Sequence, residues 1–467
     1  MFITLLLTLA QPDPAQPTPL TVSPAAAPVP ALKYELLPRG SEKKPGNAVV
    51  GYFQAALNRP AWPKDAAKIQ KQNELDERLR TVPIEELSAR ELTEYLKPYQ
   101  TTFRVADFAA RYDRCDWQRE NQLGGEWLFA MLPDIMQQRE LGRMLDLRVR
   151  LAAVENKFDE ATVAMKTGMQ HAKHVGEAPT LIQLLVGLAL ANSQLKRVED
   201  VIQRPGSPNF YWALTSLPHP FINPKPGVEG EEGFLLSLLP GIRAIESGPV
   251  TADQATQAIE TLVKSFAESS DDRAIRSLAS KVGIVGYAAL YHEQAKKELA
   301  ERGRTAKELE AMPPTQVVLL RGLALYRELM EDRAKLFSVP YPSAMVFLEA
   351  GKKRLTTIKE GNDPLAAVFS LGVPMFDKLF EAHARTERRI ALLRAVEAVR
   401  MHAAGHGGMP PTSLAEVNVV PVPDDPNTGK PFVYATNERT VRIVAPPPVG
   451  ETPNAVNSMG YVLTVRK

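Results

Sequence analysis

Apolar residues recur at helical spacing through most of this 467-residue chain. The run from Leu145 to Leu195 shows the pattern most clearly, and it predicts three consecutive amphipathic helices. A turn is predicted at Phe158–Ala161, between the first two helices. Helices joined by such short connections pack against each other in antiparallel fashion, so the run indicates a helix-on-helix architecture.

Further apolar stripes extend this pattern towards the C-terminus. One stripe comprises Ala255, Ile259, Leu262, Val263 and Phe266. Another comprises Ile275, Leu278, Ala279, Val282 and Ala289. The strongest single helix is predicted over Pro374–Met401, with an apolar side made of Phe376, Leu379, Phe380, Ile390, Leu393, Val396 and Val399. Strand-like alternation is nearly absent before residue 417.

Residues with capping chemistry mark the starts of several helices. A hydroxyl at the N-cap accepts from free N–H groups of the first turn, while a later Glu or Gln reaches back to the cap. The pairs with this spacing are Ser88 with Glu91, Thr251 with Gln254, Thr305 with Glu308, and Ser413 with Glu416. Proline at the first helical position predicts two more starts, at Ser207-Pro208 and Asp363-Pro364.

Two regions interrupt the helical pattern. Pro218–Glu232 is rich in proline and glycine and predicts a loop. Residues 409–467 predict a short helix after Ser413, a turn over Pro421–Gly429, and then strands. The strands are predicted over Pro431–Thr436, Thr440–Ala445 and Tyr461–Arg466. Their period-two alternation gives each strand one buried face, which favours a three-stranded antiparallel meander.

These patterns predict a mainly α fold, an irregular stack of antiparallel helical hairpins with a small C-terminal α+β module. The predicted segments are a signal peptide (1–10), a Pro/Ala-rich linker (11–32), a first helical block (33–217), a Pro/Gly-rich connection (218–250), a second helical block ending in a long helix (251–405) and the α+β module (406–467).

The N-terminus predicts export to the periplasm or cell envelope. Phe2–Ala10 is an apolar run too short to cross a bilayer as a helix, with small residues at Thr8 and Ala10 for a signal peptidase. A proline- and alanine-rich stretch follows over Gln11–Leu32. No Lys or Arg precedes the run, so the alternative is a frayed N-terminus or a misplaced start codon.

Charge and cysteine content exclude several classes of protein. Lys and Arg number 56 against 54 Asp and Glu, and this balance predicts no nucleic-acid partner. The strongest basic cluster consists of Arg385, Arg388, Arg389, Arg394 and Arg400. Glu387 and Glu397 interrupt it, which favours a solvated helix face over a phosphate-binding strip. The single cysteine, Cys115, excludes an intrachain disulfide and a cysteine-based zinc site.

The segment Asn156–Ala161 resembles the turn and second-helix start of a tetratricopeptide repeat, with an aromatic residue, two acids and an alanine. The packing positions of that motif are filled by Leu145, Val149, Ala152, Met165 and Gly168. The match spans about residues 141–176, and no second copy occurs at a period of about 34 residues. The resemblance therefore implies one helical hairpin rather than a regular array, with ordinary bundle packing as the alternative.

A series of motifs follows the end of the long helix at Arg388–Ala404. They are Gly405–Gly408, Pro411–Leu414, Asp425–Pro431 and Phe432–Tyr434. In this order they resemble the globular part of type II secretion pseudopilins, which implies a fold for the C-terminal module. The N-terminal methylated membrane helix of pseudopilins is not seen in the sequence, so the resemblance does not imply a filament subunit.

Some pseudopilins hold calcium in their strand loops, and Asp424, Asp425 and Asn427 supply oxygen ligands at the matching turn. They are weak candidates, because turns favour the same residues for backbone reasons. Beyond them, we predict no catalytic, cofactor or metal site. His171, His174 and Glu177 lie one helical turn apart, yet such spacing is more typical of a solvated or core-edge pair than of metal ligands.

The sequence resembles the broad class of secreted bacterial helical proteins without an assigned activity. The leading hypothesis is a protein-binding or scaffold role in the cell envelope, with other envelope proteins as partners. One alternative is an enzyme whose site is assembled from Cys115, His171, His174 and the acids near 218–232. Another is an accessory role in secretion through the C-terminal module. A deep pocket with converging titratable groups would favour the enzyme, and a broad shallow groove the binder.

Overall fold

The structure is a computed structural model that describes residues 16–61, 65–117, 127–237, 239, 241–267, 275–276, 278–373, 376–447, 453 and 457–467. The chain is mainly helical with a small sheet, as the apolar spacing predicts. It divides into two compact units. Unit 1 lies within Met1–Glu120, Phe129–Gly227 and Glu381–Lys467, and unit 2 within Asn121–Leu128 and Val228–Phe380. The predicted signal peptide, residues 1–10, lies outside the described residues.

The helices follow one another along most of the chain. The first group is α1 (Ala48–Leu57), α2 (Ala66–Thr81), α3 (Ala89–Leu96), α4 (Gln100–Ala109), α5 (Trp127–Val154), α6 (Phe158–Gly176), α7 (Leu181–Ile202) and α8 (Tyr211–Thr215). The second group is α9 (Lys225–Ser237), α10 (Ile242–Ser247), α11 (Ala252–Ala267), α12 (Lys281–Glu301), α13 (Ala306–Glu310), α14 (Pro314–Ala334), α15 (Tyr341–Lys359), α16 (Pro364–Leu371) and α17 (Phe376–Gly405). None of these helices, over the residues described, is long and apolar enough to cross a membrane.

Several predicted helix starts are confirmed. The Thr305 and Glu308 pair makes both halves of a capping box, and Ser88 and Thr251 each accept from a backbone N–H of the first turn. Asp363 caps α16, with Pro364 at its first position. One start is wrong, because Ser207 donates to the Ile202 carbonyl instead of beginning a helix. The predicted short helix after Ser413 is present as one 3-10 turn, Leu414–Glu416, with Ser413 at its N-cap, but the Ser413 side chain makes no capping hydrogen bond.

The run Leu145–Leu195 contains the end of α5, all of α6 and most of α7, so the three predicted helices are present. The turn lies earlier than predicted, at Glu155–Lys157, because Asn156 adopts a left-handed conformation and Phe158 already begins α6. Helices α6 and α7 approach closely at Gly176 and Gly187. A Cβ at Gly187 would lie 2.3 Å from the Gly176 Cα, so only glycine allows this contact.

The C-terminal sheet has one strand more than predicted. Strands β4 (Val433–Asn437), β5 (Thr440–Ala445) and β6 (Met459–Val465) form the expected antiparallel meander. A further strand, β1 (Thr18–Val22), pairs with β6 in parallel, which gives the order β1-β6-β5-β4. Two short parallel strands, β2 (Lys44–Asn47) and β3 (Tyr112–Arg114), form a separate pair.

Strand β1 corrects the predicted Pro/Ala-rich linker. Leu20 pairs with Leu463 and Val22 with Val465, and both β1 side chains are buried. The segment beyond the strand is also held, since Ala25 donates its N–H to the Arg400 carbonyl. Residues 18–25 are therefore part of unit 1, because burial of these apolar side chains outweighs the low strand propensity of the prolines around them.

The predicted segment boundaries differ from the structure at two further places. Most of the Pro/Gly-rich connection is helical, because α9 and α10 lie within 218–250. The predicted α+β module is not a separate body, since residues 381–467 belong to unit 1 together with the N-terminal helices. Helix α17, predicted to end the second block, contributes its later turns to unit 1 for the same reason.

The apolar stripes are confirmed in part. The described members of the first stripe in α11 are buried, and so is the whole predicted apolar side of α17. The second stripe is wrong in its later half. Ser280 caps α12, so the stripe does not continue through one helix, and Val282 and Ala289 face solvent.

The five arginines of α17 do not form the predicted solvated face. Arg388 and Arg400 are fully buried, and the other three are half-buried. The Arg388 guanidinium donates to both carboxylate oxygens of Asp425, at 2.9 and 2.6 Å. Arg389 donates to Glu199, and Arg400 to Glu397. Residues 381–403 of this helix are buried or half-buried on every side, so the charges along it must pair with other groups of the protein.

Candidate functional site

The weak calcium candidates form a structural turn. Asp425 is buried, and both of its carboxylate oxygens are bound by Arg388. The Asp425 Oδ1 also accepts from the Asn427 N–H at 3.0 Å, an Asx turn. A guanidinium therefore occupies the position that a cation would need beside Asp425. Among the residues that the structure describes, no group of three His, Cys, Asp or Glu side chains could hold a metal ion.

His171 and His174 lie in the core of unit 1, not at its edge. The hydroxyl of Tyr52 lies 2.8 Å from His174 Nδ1, and Gln170 Nε2 lies 2.7 Å from His174 Nε2. His171 Nε2 lies 3.0 Å from Gln138 Oε1. Because the side-chain amide nitrogen of Gln170 can only donate, His174 Nε2 accepts and its Nδ1 carries the proton of a neutral imidazole.

Burial controls the titration of this cluster. It lowers the pKa of His171 to about 3, and burial together with His171 lowers the pKa of His174 to about 3. Burial, followed by the charges of Asp116 and Glu177, raises the pKa of the Cys115 thiol. A cysteine nucleophile needs the opposite shift, towards the thiolate. The cluster thus has the properties of a neutral, hydrogen-bonded core.

The acids near 218–232 belong to a different unit from this cluster. Glu229, Glu231 and Glu232 lie on α9 in unit 2, whereas Cys115, His171 and His174 belong to unit 1. Glu232 forms an ion pair with Arg327 at 3.1 Å. Glu177 also has another role, because it binds Lys173 and accepts from the Asn223 N–H.

Unit 2 contains a cavity of about 250 Å³ with several titratable side chains. Arg321 binds Glu298 at 2.8 Å and also the Asp363 carboxylate. The Tyr287 hydroxyl donates to Asp363 at 2.7 Å, and Arg302 binds Glu328 at 2.7 Å. Burial, and then Asp363, raise the pKa of Tyr287. These groups satisfy one another, which favours a structural role for them.

A larger groove, of about 560 Å³, lies in unit 1 between α3, α4, α5 and the start of α6. We refer to it as the α3–α6 groove. Its volume falls within the range of about 300–1,000 Å³ that is typical of ligand sites. Leu96, Phe103 and Ala152 are buried beneath it. Val163, 43% exposed, projects from α6 and adds an accessible apolar side chain to this floor.

Arg148 lines the groove, and its side chain is held in place by several contacts. Arg148 donates from Nη1 and Nη2 to the two carboxylate oxygens of Asp107, at 2.7 and 3.0 Å. Its guanidinium carbon also lies 5.3 Å from the centre of the Phe103 ring. The Thr167 hydroxyl donates to Asp107 at 2.6 Å. Arg148 is therefore held in place with its charge balanced, and it contributes shape rather than net charge.

The rim of the groove is acidic. Lys157 and Glu155 pair with each other at 3.0 Å, so Asp159 and Glu160 give the lining a net negative charge, which Lys33 beside Asp159 offsets in part. Both acids lie in the first turn of α6, where the positive end of the helix dipole stabilises carboxylates. The groove therefore combines an apolar floor with two carboxylates on one edge, an arrangement that suits a ligand with an apolar group beside a cation.

Part of this groove is visible in the sequence. Asp159 and Glu160 belong to the turn motif that resembles a tetratricopeptide repeat, whereas nothing in the sequence connects Leu96 and Phe103 with it, because they belong to helices far away in the chain. The exposure of the apolar Val163 side chain could be predicted from the sequence, because a residue two positions after Ala161 faces away from the buried side of α6.

Comparison with known proteins gives no relative. No family model matches the chain, and no curated protein or solved structure matches it either. The functional assignment therefore depends on the geometry and charge of the groove.

Proposed function

We propose that this chain is an exported protein of the cell envelope that binds segments of other proteins in the α3–α6 groove and so serves as a scaffold. The single observation behind this proposal is the groove itself, whose apolar floor lies beside an acidic rim. An accessible apolar surface bounded by charged groups is typical of a binding site for protein segments. The charge of Asp159 and Glu160 favours segments in which Lys or Arg stands next to an apolar residue.

The contrast with unit 2 supports binding over catalysis. The cavity in unit 2 is smaller, and its arginines, acids and tyrosine are engaged with one another. A general acid or base would need an unengaged group with a pKa near the working pH. Export is proposed from the apolar run Phe2–Ala10, and the protein recovered from the periplasm of a bacterial host is then expected to begin at Gln11. A periplasmic fraction without the protein, or with Met1 retained, would contradict it.

Selection from random peptides tests the binding proposal, since it requires no candidate partner. The purified chain is used to select displayed 12-residue peptides, and the enriched peptides are synthesised and titrated by fluorescence anisotropy. Peptides with Lys or Arg beside an apolar residue are expected to be enriched. Val163→Arg fills the groove with a cation, and we expect it to weaken binding by about tenfold or more.

The matched control is Leu57→Arg, which adds the same side chain at an exposed apolar position of α1 outside the groove. It is expected to leave the dissociation constant unchanged. Charge reversal by Asp159→Lys should weaken the binding of basic peptides and spare neutral ones. Peptides whose affinity is the same for the chain and for Val163→Arg would place binding elsewhere and refute the proposal.

A further inference from the structure

Two histidines at the C-terminal end of α17 stack face to face. His402 lies in the last turn of α17, and His406 directly follows the helix, with its N–H bound to the Ala403 carbonyl at 3.2 Å. The centres of the two imidazole rings lie 3.8 Å apart, and the ring planes differ by only 2°. A spacing of four residues along a helix allows two histidines to share a metal ion. We refer to these two residues as the His402–His406 pair.

Ring packing alone does not account for this arrangement. Aromatic rings favour offset or edge-to-face contacts, with centres about 4.5–7 Å apart, over a face-to-face sandwich. The environment of the pair is also uneven, because His402 is 6% exposed whereas His406 is exposed. Among the described residues, Nδ1 of His402 is buried without a hydrogen-bond partner. Such groups are uncommon in folded proteins, so the pair requires an explanation.

A hydrogen bond of His406 fixes the position of its ring proton. His406 Nδ1 lies 2.8 Å from the carbonyl oxygen of His402. Because a carbonyl oxygen can only accept, Nδ1 carries the proton, and Nε2 of the neutral ring has a free lone pair. A hydrogen bond from Nδ1–H to a backbone carbonyl is also the contact that orients many metal-binding histidines. His406 is therefore oriented to bind a metal ion through Nε2.

We propose that the His402–His406 pair binds a divalent transition-metal ion, such as Zn²⁺ or Cu²⁺, through Nε2 of each ring. Imidazole is a preferred ligand of both ions. Two Zn–N bonds of about 2.0–2.1 Å at a tetrahedral angle separate their nitrogens by roughly 3.3 Å. This separation is close to the 3.8 Å between the two ring centres. The rings therefore need only a small rotation to bind the same ion.

The charges around the pair partly balance one another. Glu416 lies close enough to His402 for their charges to interact, and its carboxylate favours a bound cation. Arg439 also contacts this turn and opposes a cation. Its Nη1 donates to the carbonyls of Gly408 and Arg466, at 3.1 and 3.0 Å. Coordination by the two imidazoles, rather than net charge, is therefore the main source of affinity.

The structure predicts a moderate affinity. The ion is bound by two protein side chains, fewer than the three or four of catalytic and structural zinc sites, so water completes the coordination. A metal ion at Nε2 of His402 also places the ring proton on the buried Nδ1, which has no acceptor. The ion should therefore exchange readily. This proposal is independent of peptide binding, because the lining of the α3–α6 groove includes no residue of α17.

Calorimetric titration of the untagged full chain with Zn²⁺ tests the proposal. One ion is expected to bind per chain. His406→Gln and His402→Gln each remove one ligand, so each should weaken binding by about tenfold or more. The control is His219→Gln, which removes a half-exposed histidine outside the pair and should leave the dissociation constant unchanged.

Electron paramagnetic resonance of the chain with one equivalent of Cu²⁺ identifies the ligands directly. The unchanged chain should show hyperfine splitting from two imidazole nitrogens, and His406→Gln from one. Because His406 is exposed, its replacement should leave the fold intact, which circular dichroism checks. A chain that binds no Zn²⁺ at submillimolar concentrations would overturn the proposal. An affinity or a Cu²⁺ spectrum that is the same in His406→Gln would overturn it as well.

Discussion

Acid should destabilise unit 1 through the buried histidines His171 and His174, and the substitution His171→Gln isolates the contribution of one of them. Gln places an amide nitrogen where His171 has Nε2, so the hydrogen bond to Gln138 can be kept while the titrating ring is removed. The variant loses the ring contact with Tyr52, whose centre lies 4.8 Å from that of His171, and it should be less stable at neutral pH. The informative quantity is the change in its unfolding free energy on acidification.

The magnitude follows from the pKa of His171, which burial lowers from 6.5 to about 3. Because the folded-state pKa is depressed, the stability contributed by the neutral ring is complete above pH 6.5 and is lost as the pH falls towards 3. Between pH 7.5 and 4.5 the His171 ring takes up a proton in the unfolded chain but stays neutral in the folded chain. One histidine then costs about 2–3 kcal/mol over this interval, and His174 adds a similar amount.

Urea unfolding at pH 7.5 and pH 4.5, followed by tryptophan fluorescence, measures this cost. Trp117 is a suitable probe, because its indole N–H donates to the His174 carbonyl at 3.0 Å. The fall in unfolding free energy on acidification should be smaller by about 2–3 kcal/mol in His171→Gln than in the unchanged chain. Groups that titrate in both proteins cancel in this comparison.

The reasoning is refuted if His171→Gln and the unchanged chain lose the same free energy between the two pH values. In that case the ring would accept a proton in the folded state, and the buried, neutral cluster described above would be incorrect.

Two further substitutions and one deletion test how unit 1 is held together, each by urea unfolding. Asp425→Asn leaves the buried Arg388 guanidinium without its counter-charge and should cost about 3–5 kcal/mol, whereas an unchanged midpoint would argue against a buried pair. Gly187→Ala forces α6 and α7 apart and should cost about 1–3 kcal/mol or more, while Gly233→Ala, with open space around it, should be neutral or stabilising. Deletion of residues 11–22 removes β1 and should cost about 3–6 kcal/mol from two buried side chains, and a deletion variant as stable as the full chain would contradict the observed pairing.

Local features of the fold could be predicted from the sequence, because they depend on residues close together in the chain. Strand β5 has both of its predicted ends, since its alternation and its flanking turns lie within a few residues. Strand β1 could not be found in this way. Its partner β6 is at the other end of the chain, and the prolines around it are typical of linkers. Proline is tolerated there because β1 is the edge strand of the sheet.

The arginines of α17 show a second limit of sequence reasoning. A formal charge suggests solvent exposure, but both of these arginines form ion pairs inside the protein. Arg388 pairs with Asp425 in the C-terminal turn, and Arg389 pairs with Glu199 on α7, 190 positions away in the sequence. Distant partners of this kind leave no local pattern. A usable signal does exist for the later part of the helix, because apolar residues lie on nearly every side of residues 390–403 and such a segment is buried.

The groove could be predicted only in part for the same reason. The acidic turn at Asp159 and Glu160 is visible locally, whereas the apolar floor is assembled from α3, α4 and α5. Only packing brings Leu96 and Phe103 beneath Val163. The sequence therefore suggests a binding protein in general terms, and the structure supplies the place where binding is proposed.

Titration of a selected peptide against the unchanged chain, Val163→Arg and Leu57→Arg tests the central proposal most directly. The account predicts a peptide with an apolar residue next to Lys or Arg, whose dissociation constant rises by about tenfold or more in Val163→Arg and stays the same in Leu57→Arg. Equal affinity for all three proteins, or a failure to enrich any peptide, would contradict a binding role for the α3–α6 groove.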